Sequence, residues 1–530
     1  MHGPQEIWGG HIDARSFNEL ETIKIKYAEK VIKVFSLDAI KQMQNLKKLY
    51  LQEFQLAEEF IDPVGFYNDE VENLALLPQL KKLVMDSFPR LKWIPWEELA
   101  LKNLRELKLS KIHGLTSLFP VSVCRRLLNL ETLHIIDCEK MEEIVGGRSW
   151  DTNIVEVNVE FPRLNFLRLD KLPAFRSLGS NNVILEFSSI EGVGFGQFQN
   201  QILLILLQKF QHVKNLKLGG CEALLESFNL KGRAYAIPPR LRKFTLYDMP
   251  NLQRIPWTVF SVKSIHYLKI SKIHGLKFLF PASMHSEGFV QLEEIHINHC
   301  NDLEQVFAQG SIEVTSNNAT STTIVLPRVK IIKFKDLRSL RSFSSEYYND
   351  VELPSLEEVK IKDCSMMETF SYGSLSTQGS CKIRMDWEDE EECYDLNAFI
   401  TKRKEAKETK STEGETSREE GETSREGAKG KSVGETSRES VKREFVEGET
   451  SRGAKGEFVE EDTNEEDVKG ETIGEGAKEE SVEGETNGED AKGESKVRQV
   501  EKLQMYKISN RVAKIRLYWS FNYVEVLETS

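Results

Sequence analysis

The sequence predicts an α/β fold, a curved solenoid of short parallel strands followed by an acidic tail. Three observations carry that prediction. A motif of aliphatic, two others, aliphatic, one other, aliphatic (L-x-x-L-x-L) recurs thirteen times at spacings of 23 to 37 residues. After each copy the apolar spacing changes to three. From about residue 401 the apolar residues become sparse and Gly, Glu, Thr, Ser and Arg take over.

The registers run in order along the chain. They fall at Leu20-Ile23-Ile25, Leu46-Leu49-Leu51, Leu80-Leu83-Met85, Leu104-Leu107-Leu109 and Leu130-Leu133-Ile135. Leu164-Leu167-Leu169 follows, then a weaker copy at Ile190-Val193-Phe195, then Val213-Leu216-Leu218 and Leu241-Phe244-Leu246. The last four are Ile265-Leu268-Ile270, Leu292-Ile295-Ile297, Val329-Ile332-Phe334 and Leu356-Val359-Ile361. The L-x-L part is a short strand whose alternate side chains point to one face. One strand cannot bury that face alone, so the repeats stack into a parallel sheet over a continuous core.

Behind each strand, Phe88-Leu91-Ile94, Cys138-Met141-Ile144, Leu172-Phe175-Leu178, Met249-Leu252-Ile255 and Cys300-Leu303-Val306 keep a period of three. That period fits a 3₁₀-like or irregular return along the convex side. These are leucine-rich repeats, about 13 of them. Cys138, Cys221, Cys300 and Cys364 share one slot, three residues after the last strand aliphatic. A small side chain turned into the core fits that slot; the cysteines fall in separated repeats, so metal or redox chemistry there is the weaker reading.

A longer duplication overlies the unit repeat. Leu80 to Val123 aligns without a gap to Leu241 to Met284. Ile94-Pro95-Trp96 returns as Ile255-Pro256-Trp257, and Ser110 to Leu115 returns as Ser271 to Leu276. His113 and His274 come with the duplicated turn, and nothing near them in sequence completes a ligand set or triad. The chain thus divides into an array over residues 1–372, with homologous halves at about 78–230 and 239–372. An acidic end or cap follows at 373–400, then low-complexity sequence at 401–498 and a short segment at 499–530.

Residues 401–500 hold 19 Lys/Arg and 29 Asp/Glu, so most of the formal charge of -13 belongs to the tail. Gly-Glu-Thr-Ser-Arg recurs there at Gly414, Gly421, Gly434 and Gly448. Such a segment buries too little apolar surface to offset chain entropy and is expected to be disordered. Residues 499–530 regain apolar side chains, consistent with a short helix and a strand-like end or with a frame-shifted terminus. Two polar insertions, Gly146 to Glu160 and Ala308 to Val325, sit at equivalent places in the halves. Either recognition loops or passive spacers fit them.

Several classes are excluded by what the residues lack. There is no HExxH, no nucleophile elbow and no cluster of carboxylates on one predicted face, so an enzyme is not expected, and neither cofactor nor metal is called for. Gly430-Lys431-Ser432 is no phosphate loop, because Arg425 stands where the first glycine belongs. Met1 to Gly10 has no apolar signal core, and the longest aliphatic run, Ile202 to Leu207, is too short to cross a bilayer. Seven cysteines without a CxxC pair form no disulfide framework. A cytoplasmic protein without a membrane span is expected.

The repeats "LNLETLHIIDCEKMEEIV" (Leu128 to Val145) and "FVQLEEIHINHCNDLEQVF" (Phe289 to Phe307) resemble a particular group. So do the links "FPRLNFLRLDKLPAFRSL" (Phe161 to Leu178) and "LPRVKIIKFKDLRSLRSF" (Leu326 to Phe343). They are similar to the C-terminal leucine-rich repeats of plant coiled-coil nucleotide-binding (NB-ARC) disease resistance proteins. The resemblance covers roughly residues 4 to 372. It implies a recognition module of plant immunity that binds pathogen effectors or guarded host proteins, here without the family's nucleotide-binding domain. A non-catalytic regulatory adaptor, or a truncated receptor remnant, is the alternative.

Binding is expected on the concave face, from the residue between the two aliphatics of each L-x-L. That column reads Lys24, Tyr50, Val84, Lys108, His134, Arg168, Gly194, Lys217, Thr245, Lys269, His296, Lys333 and Lys360. Seven are basic, two are histidine and none is acidic, although acids outnumber bases in the chain. Like charges on strands about 4.8 Å apart repel. A basic column therefore points to a partner protein with an acidic surface: an effector, a guarded host protein or a receptor's nucleotide-binding domain. The acidic tail is a candidate intramolecular partner. No nucleic-acid partner is expected.

Overall fold

The computed structural model describes residues 20–406, except 29, 62–74, 147–156, 181, 232–237, 258–259, 261, 282–283, 285–287, 309–322 and 387–389. It also describes the backbone of 514–519 and 522–527. The centres of both polar insertions, and the tail from 407 to 513, lie outside these residues.

All thirteen registers become strands of one sheet. In chain order they are β1 (Thr22–Lys26), β2 (Lys48–Gln52), β3 (Lys82–Asp86), β4 (Glu106–Ser110), β5 (Thr132–Ile136), β6 (Phe166–Asp170) and β7 (Gly192–Gly196). Then come β8 (Asn215–Gly219), β9 (Lys243–Tyr247), β10 (Tyr267–Ser271), β11 (Glu294–Asn298), β12 (Ile331–Lys335) and β13 (Glu358–Lys362). Each pairs in parallel with the next in sequence, the order a stack of identical units must give. A further parallel strand, β14 (Cys381–Met385), extends the sheet, and the antiparallel β15 (Glu391–Cys393) closes it.

The core is one continuous cluster from Leu20 to Ile400. Every aliphatic of the thirteen registers is buried except Ile190, the first member of the weak copy. At about 1.5–3 kcal/mol for each fully buried Leu, Ile, Val or Phe, the spine is the main source of stability.

The corner after each strand is built the same way. Two residues after the last aliphatic the backbone turns left-handed, from Tyr27 and Glu53 through Ser87, Lys111 and Asp137 to Asp336 and Asp363, with Gly220 the one glycine in that row. The conformation costs roughly 1–2 kcal/mol for a residue with a Cβ. A backbone bond repays it. The corner amide donates to a carbonyl of the following repeat, as Lys111 to Ile136 and Asp248 to Ser271 do, both at 3.0 Å. The next residue enters the core: Cys138, Cys300 and Cys364 point thiols at the carbonyl two residues back, at 3.4–3.5 Å. Burial pushes Cys138, Cys221, Cys300 and Cys364 up to about 12. They are unreactive core groups.

The returning side is more regular than the period of three implied. Short strands form where that period ends: Ser117–Pro120, Glu143–Gly146 and Ser177–Gly179 make one parallel sheet, and Phe278–Phe280, Gln305–Phe307 and Ser342–Ser344 another. Leu101–Asn103 and Val262–Ser264 are 3₁₀ turns. After β7 and β8 the return is helical instead, over Asn200–Lys209 and Glu222–Lys231. The polar insertions end in strands of two further small sheets: Val157–Glu160 pairs with Val183–Glu186 in one, and Thr323–Val325 with Asp350–Glu352 in the other.

At the far end, Leu396 and Ile400 of a helix over 396–406 are buried against the last turns. Asp395 caps that helix by accepting from the Ala398 amide at 3.0 Å. Lys514–Trp519 and Asn522–Leu527 form an antiparallel hairpin, where the sequence left open a helix and a strand-like end.

Candidate interaction face

Parallel pairing without slippage aligns the predicted column as one row across the sheet. Lys24, Tyr50, Val84, Lys108, His134, Arg168 and Gly194 are successive backbone partners. Lys217, Thr245, Lys269, His296, Lys333 and Lys360 continue it. Arg384 on β14 adds a fourteenth member that the sequence pattern missed, because Ser380 stands where the motif needs an aliphatic.

The row is not uniformly cationic. Arg168 is buried, and its guanidinium donates to Asp170 at 3.1 Å. Lys360 pairs with Glu358 on its own strand at 2.5 Å. His296 is half-buried, takes a hydrogen bond with the Tyr267 hydroxyl at 3.1 Å, and is pushed down to about 3. Burial is the first cause, and Lys333, Lys269 and Lys360 add to it. The imidazole is therefore neutral at pH 7, and the same lysines that keep it neutral set a positive field around it. Lys335 and Lys362 flank this end of the row, while Glu294, Glu358, Asp336 and Glu390 interleave with it.

The middle of the sheet holds a polar cluster built largely outside the predicted column. Tyr247, at the end of β9, donates to Asp170 on β6 at 2.7 Å, reaching over two intervening strands. It can do so because Gly196 and Gly219 carry no side chain. A Cβ on Gly219 would stand 2.4 Å from the tyrosine ring, and one on Gly196 2.2 Å from the Asp170 carboxylate. Arg168 lies 5.5 Å from the Tyr247 ring centre. Burial and the Asp170 charge hold the Tyr247 hydroxyl well above its usual range, with Arg168 opposing. Beside this cluster Phe166 leans over Gly192, and the Lys217 ammonium sits 5.3 Å from its ring. The strand Gly192-Val193-Gly194-Phe195-Gly196 was the legible signal, since alternate glycines leave one face of a strand bare.

The face thus has two parts. From β5 to β9 it is a closed polar and aromatic floor. From β10 to β14 it presents Lys269, His296, Lys333, Lys360 and Arg384 in five successive strands. Such a surface has the chemistry to dock onto acid-bearing protein. Among the described residues no group of His, Cys, Asp and Glu is placed to hold a metal ion, and no helix is long and apolar enough to cross a membrane.

Comparison with known proteins agrees with the repeat geometry. The family described as plant disease resistance protein RPS2-like, leucine-rich repeats, matches residues 1–139, 168–301 and 285–376. A probable disease resistance protein of Arabidopsis thaliana, At4g27220, is 27% identical over 173 residues, which are 32% of this chain. The chain spans only 17% of the length of that relative. With the match running over most of the array, the chain belongs to the RPS2-like leucine-rich-repeat family of plant disease resistance proteins.

Proposed function

We propose that the chain is a recognition module of plant immunity whose β10–β14 face binds an acidic protein surface, an effector or a guarded host protein. One observation carries this reading: Lys269, Lys333, Lys360 and Arg384 stand on one row with His296, which burial and the field of the three lysines keep uncharged. Clustered cations on a rigid sheet are costly unless a partner offsets them, and they speed encounter with acidic surfaces. Binding without catalysis is the activity proposed. Action inside the cytoplasm belongs to this proposal.

Charge reversal tests it. With Lys269, Lys333 and Lys360 each changed to Glu, co-immunoprecipitation from pathogen-challenged plant tissue is expected to lose partners that the wild type recovers. Those partners should be displaced by raised salt and should carry acidic surfaces. A partner set recovered equally by both proteins at low salt would refute the face as the binding surface. If the wild type instead recovers a receptor's nucleotide-binding domain without challenge, the regulatory-adaptor role replaces effector recognition.

A further inference from the structure

The last two strands bring two thiols together. Cys381 on β14 and Cys393 on β15 are direct backbone partners in the antiparallel pair. Directly opposed residues of such a pair share a face, with Cα atoms about 4.5 or 5.5 Å apart. A disulfide needs Cα atoms roughly 4.4–6.8 Å and Cβ atoms roughly 3.5–4.5 Å apart. Opposed residues meet the first, and their Cβ atoms, about 4.5–5.5 Å apart, need only a small approach of the short closing strand to meet the second. Both residues are free thiols turned into the protein, 3% and 6% exposed.

The other five cysteines lack this arrangement. In the corner row Cys138 stands between Ile112 and Leu172, Cys221 between Phe198 and Met249, and Cys300 between Ile273 and Leu337. Cys381 also lines a surface cleft of about 330 Å³ with Ser374, Thr377, Tyr394 and Asp395. Tyr394, next to Cys393, is 78% exposed. The pair is therefore buried but lies at the rim of the array, beneath a strand of three residues that opens more readily than the interior of the sheet.

We propose that Cys381 and Cys393 are a modification site, a dithiol that a low-molecular-weight disulfide such as oxidised glutathione converts to a cross-strand disulfide that locks the closing strand to the array. The Cys393 thiolate attacks glutathione disulfide, forming a mixed disulfide and releasing one glutathione thiolate. The Cys381 thiolate then attacks the Cys393 sulfur, forming the protein disulfide and releasing the second. Two protein thiols are oxidised, the glutathione disulfide is reduced, and the two thiol protons end on two molecules of glutathione. Burial, then the neighbouring Cys393, pushes Cys381 up to about 11, and burial raises Cys393 as well. The exchange should therefore be slow at pH 7 and quicken about tenfold per pH unit as the thiolate fraction grows. Locking matters because Glu391 on β15 pairs with Arg403 of the last helix, so strand and helix are held as one cap.

The test is mass mapping of the whole chain after incubation with glutathione disulfide. Trypsin and chymotrypsin, cutting at Tyr372, Lys382 and Arg384, place Cys364, Cys381 and Cys393 on separate peptides. A linked Cys381–Cys393 peptide is expected as the dominant product, forming faster at pH 8 than at pH 7 and absent from Cys393→Ser. Amide exchange over 391–393 should slow at least tenfold in the oxidised protein and return on reduction. Dominant cross-links among other cysteines, or glutathione mixed disulfides that never resolve, would overturn the proposal. So would a linked pair that leaves amide exchange unchanged, because the strand would then not be locked.

Discussion

His296 shows how one side chain reports on the whole face. Its folded-state value of about 3 lies below the ordinary 6.5 or so of an unfolded histidine. Between those values the unfolded chain binds the proton that the folded chain refuses. The stabilisation is present above about pH 6.5 and is lost as pH falls toward 3, with a slope of at most about 1.4 kcal/mol per pH unit. His296→Gln should flatten that part of the stability curve, seen as a smaller drop in urea midpoint between pH 7 and pH 4.5. An unchanged drop would mean that His296 is not the group titrating. The column placed His296 by its spacing alone and read it with the cations. Its neutrality was not legible, because it depends on burial and on Lys333 and Lys360, which reach it only through the stacking. Asp170 and Tyr247 were illegible for the same reason, being 77 residues apart in sequence.

Elements were more legible than the contacts between them, because a strand needs only its own period of two whereas a packed turn depends on its neighbour. All thirteen motif copies are strands, and the copy weakest in sequence is the one whose first aliphatic, Ile190, stays partly exposed. The returning side was read less fully: a period of three does not separate a 3₁₀ turn from a short strand that pairs with its equivalent one repeat away. The duplicated turn shows the limit of sequence identity. Gly114 and Gly275 sit in the same hexapeptide, yet a Cβ on Gly114 would stand 2.1 Å from the Leu91 carbonyl oxygen, whereas the closest atoms to one on Gly275 are at 3.1 Å. Gly114→Ala must move backbone and should cost about 1–3 kcal/mol, the range for overpacking. Gly275→Ala should cost well under half as much, in urea denaturation of the two variants. Equal losses would show the two turns to be packed alike. Gly219→Ala belongs with Gly114→Ala, since it meets the Tyr247 ring at 2.4 Å. It should free that tyrosine, read as an ionisation shifted toward the ordinary phenol range in a spectrophotometric titration.

On the scale of the molecule, charge is segregated by sequence: residues 401–500 carry a net charge of -10, while the β10–β14 face gathers lysines. A tethered anion competes for a cationic face at an effective concentration that a free partner must exceed. Exposed pairs contribute up to about 1 kcal/mol each and weaken as salt shortens the Debye length, so such competition is weak and salt-sensitive. Its reach can be tested with the chain's own acid-rich stretch. A synthetic peptide of residues 457–494, added to a chain lacking 407–498, should bind measurably at about 20 mM salt and several-fold more weakly at about 150 mM, where the Debye length is near 8 Å. Changing Lys269, Lys333 and Lys360 to Glu should abolish that binding, while the same change at Lys102, Lys140 and Lys209, off the sheet face, should leave it intact. Weaker binding of the peptide by the full chain than by the shortened one is the outcome expected of a competing tail. Equal affinity in the two chains would remove the tail as a competitor yet leave the face able to bind acidic proteins. Indifference to the lysine reversals would remove the face itself.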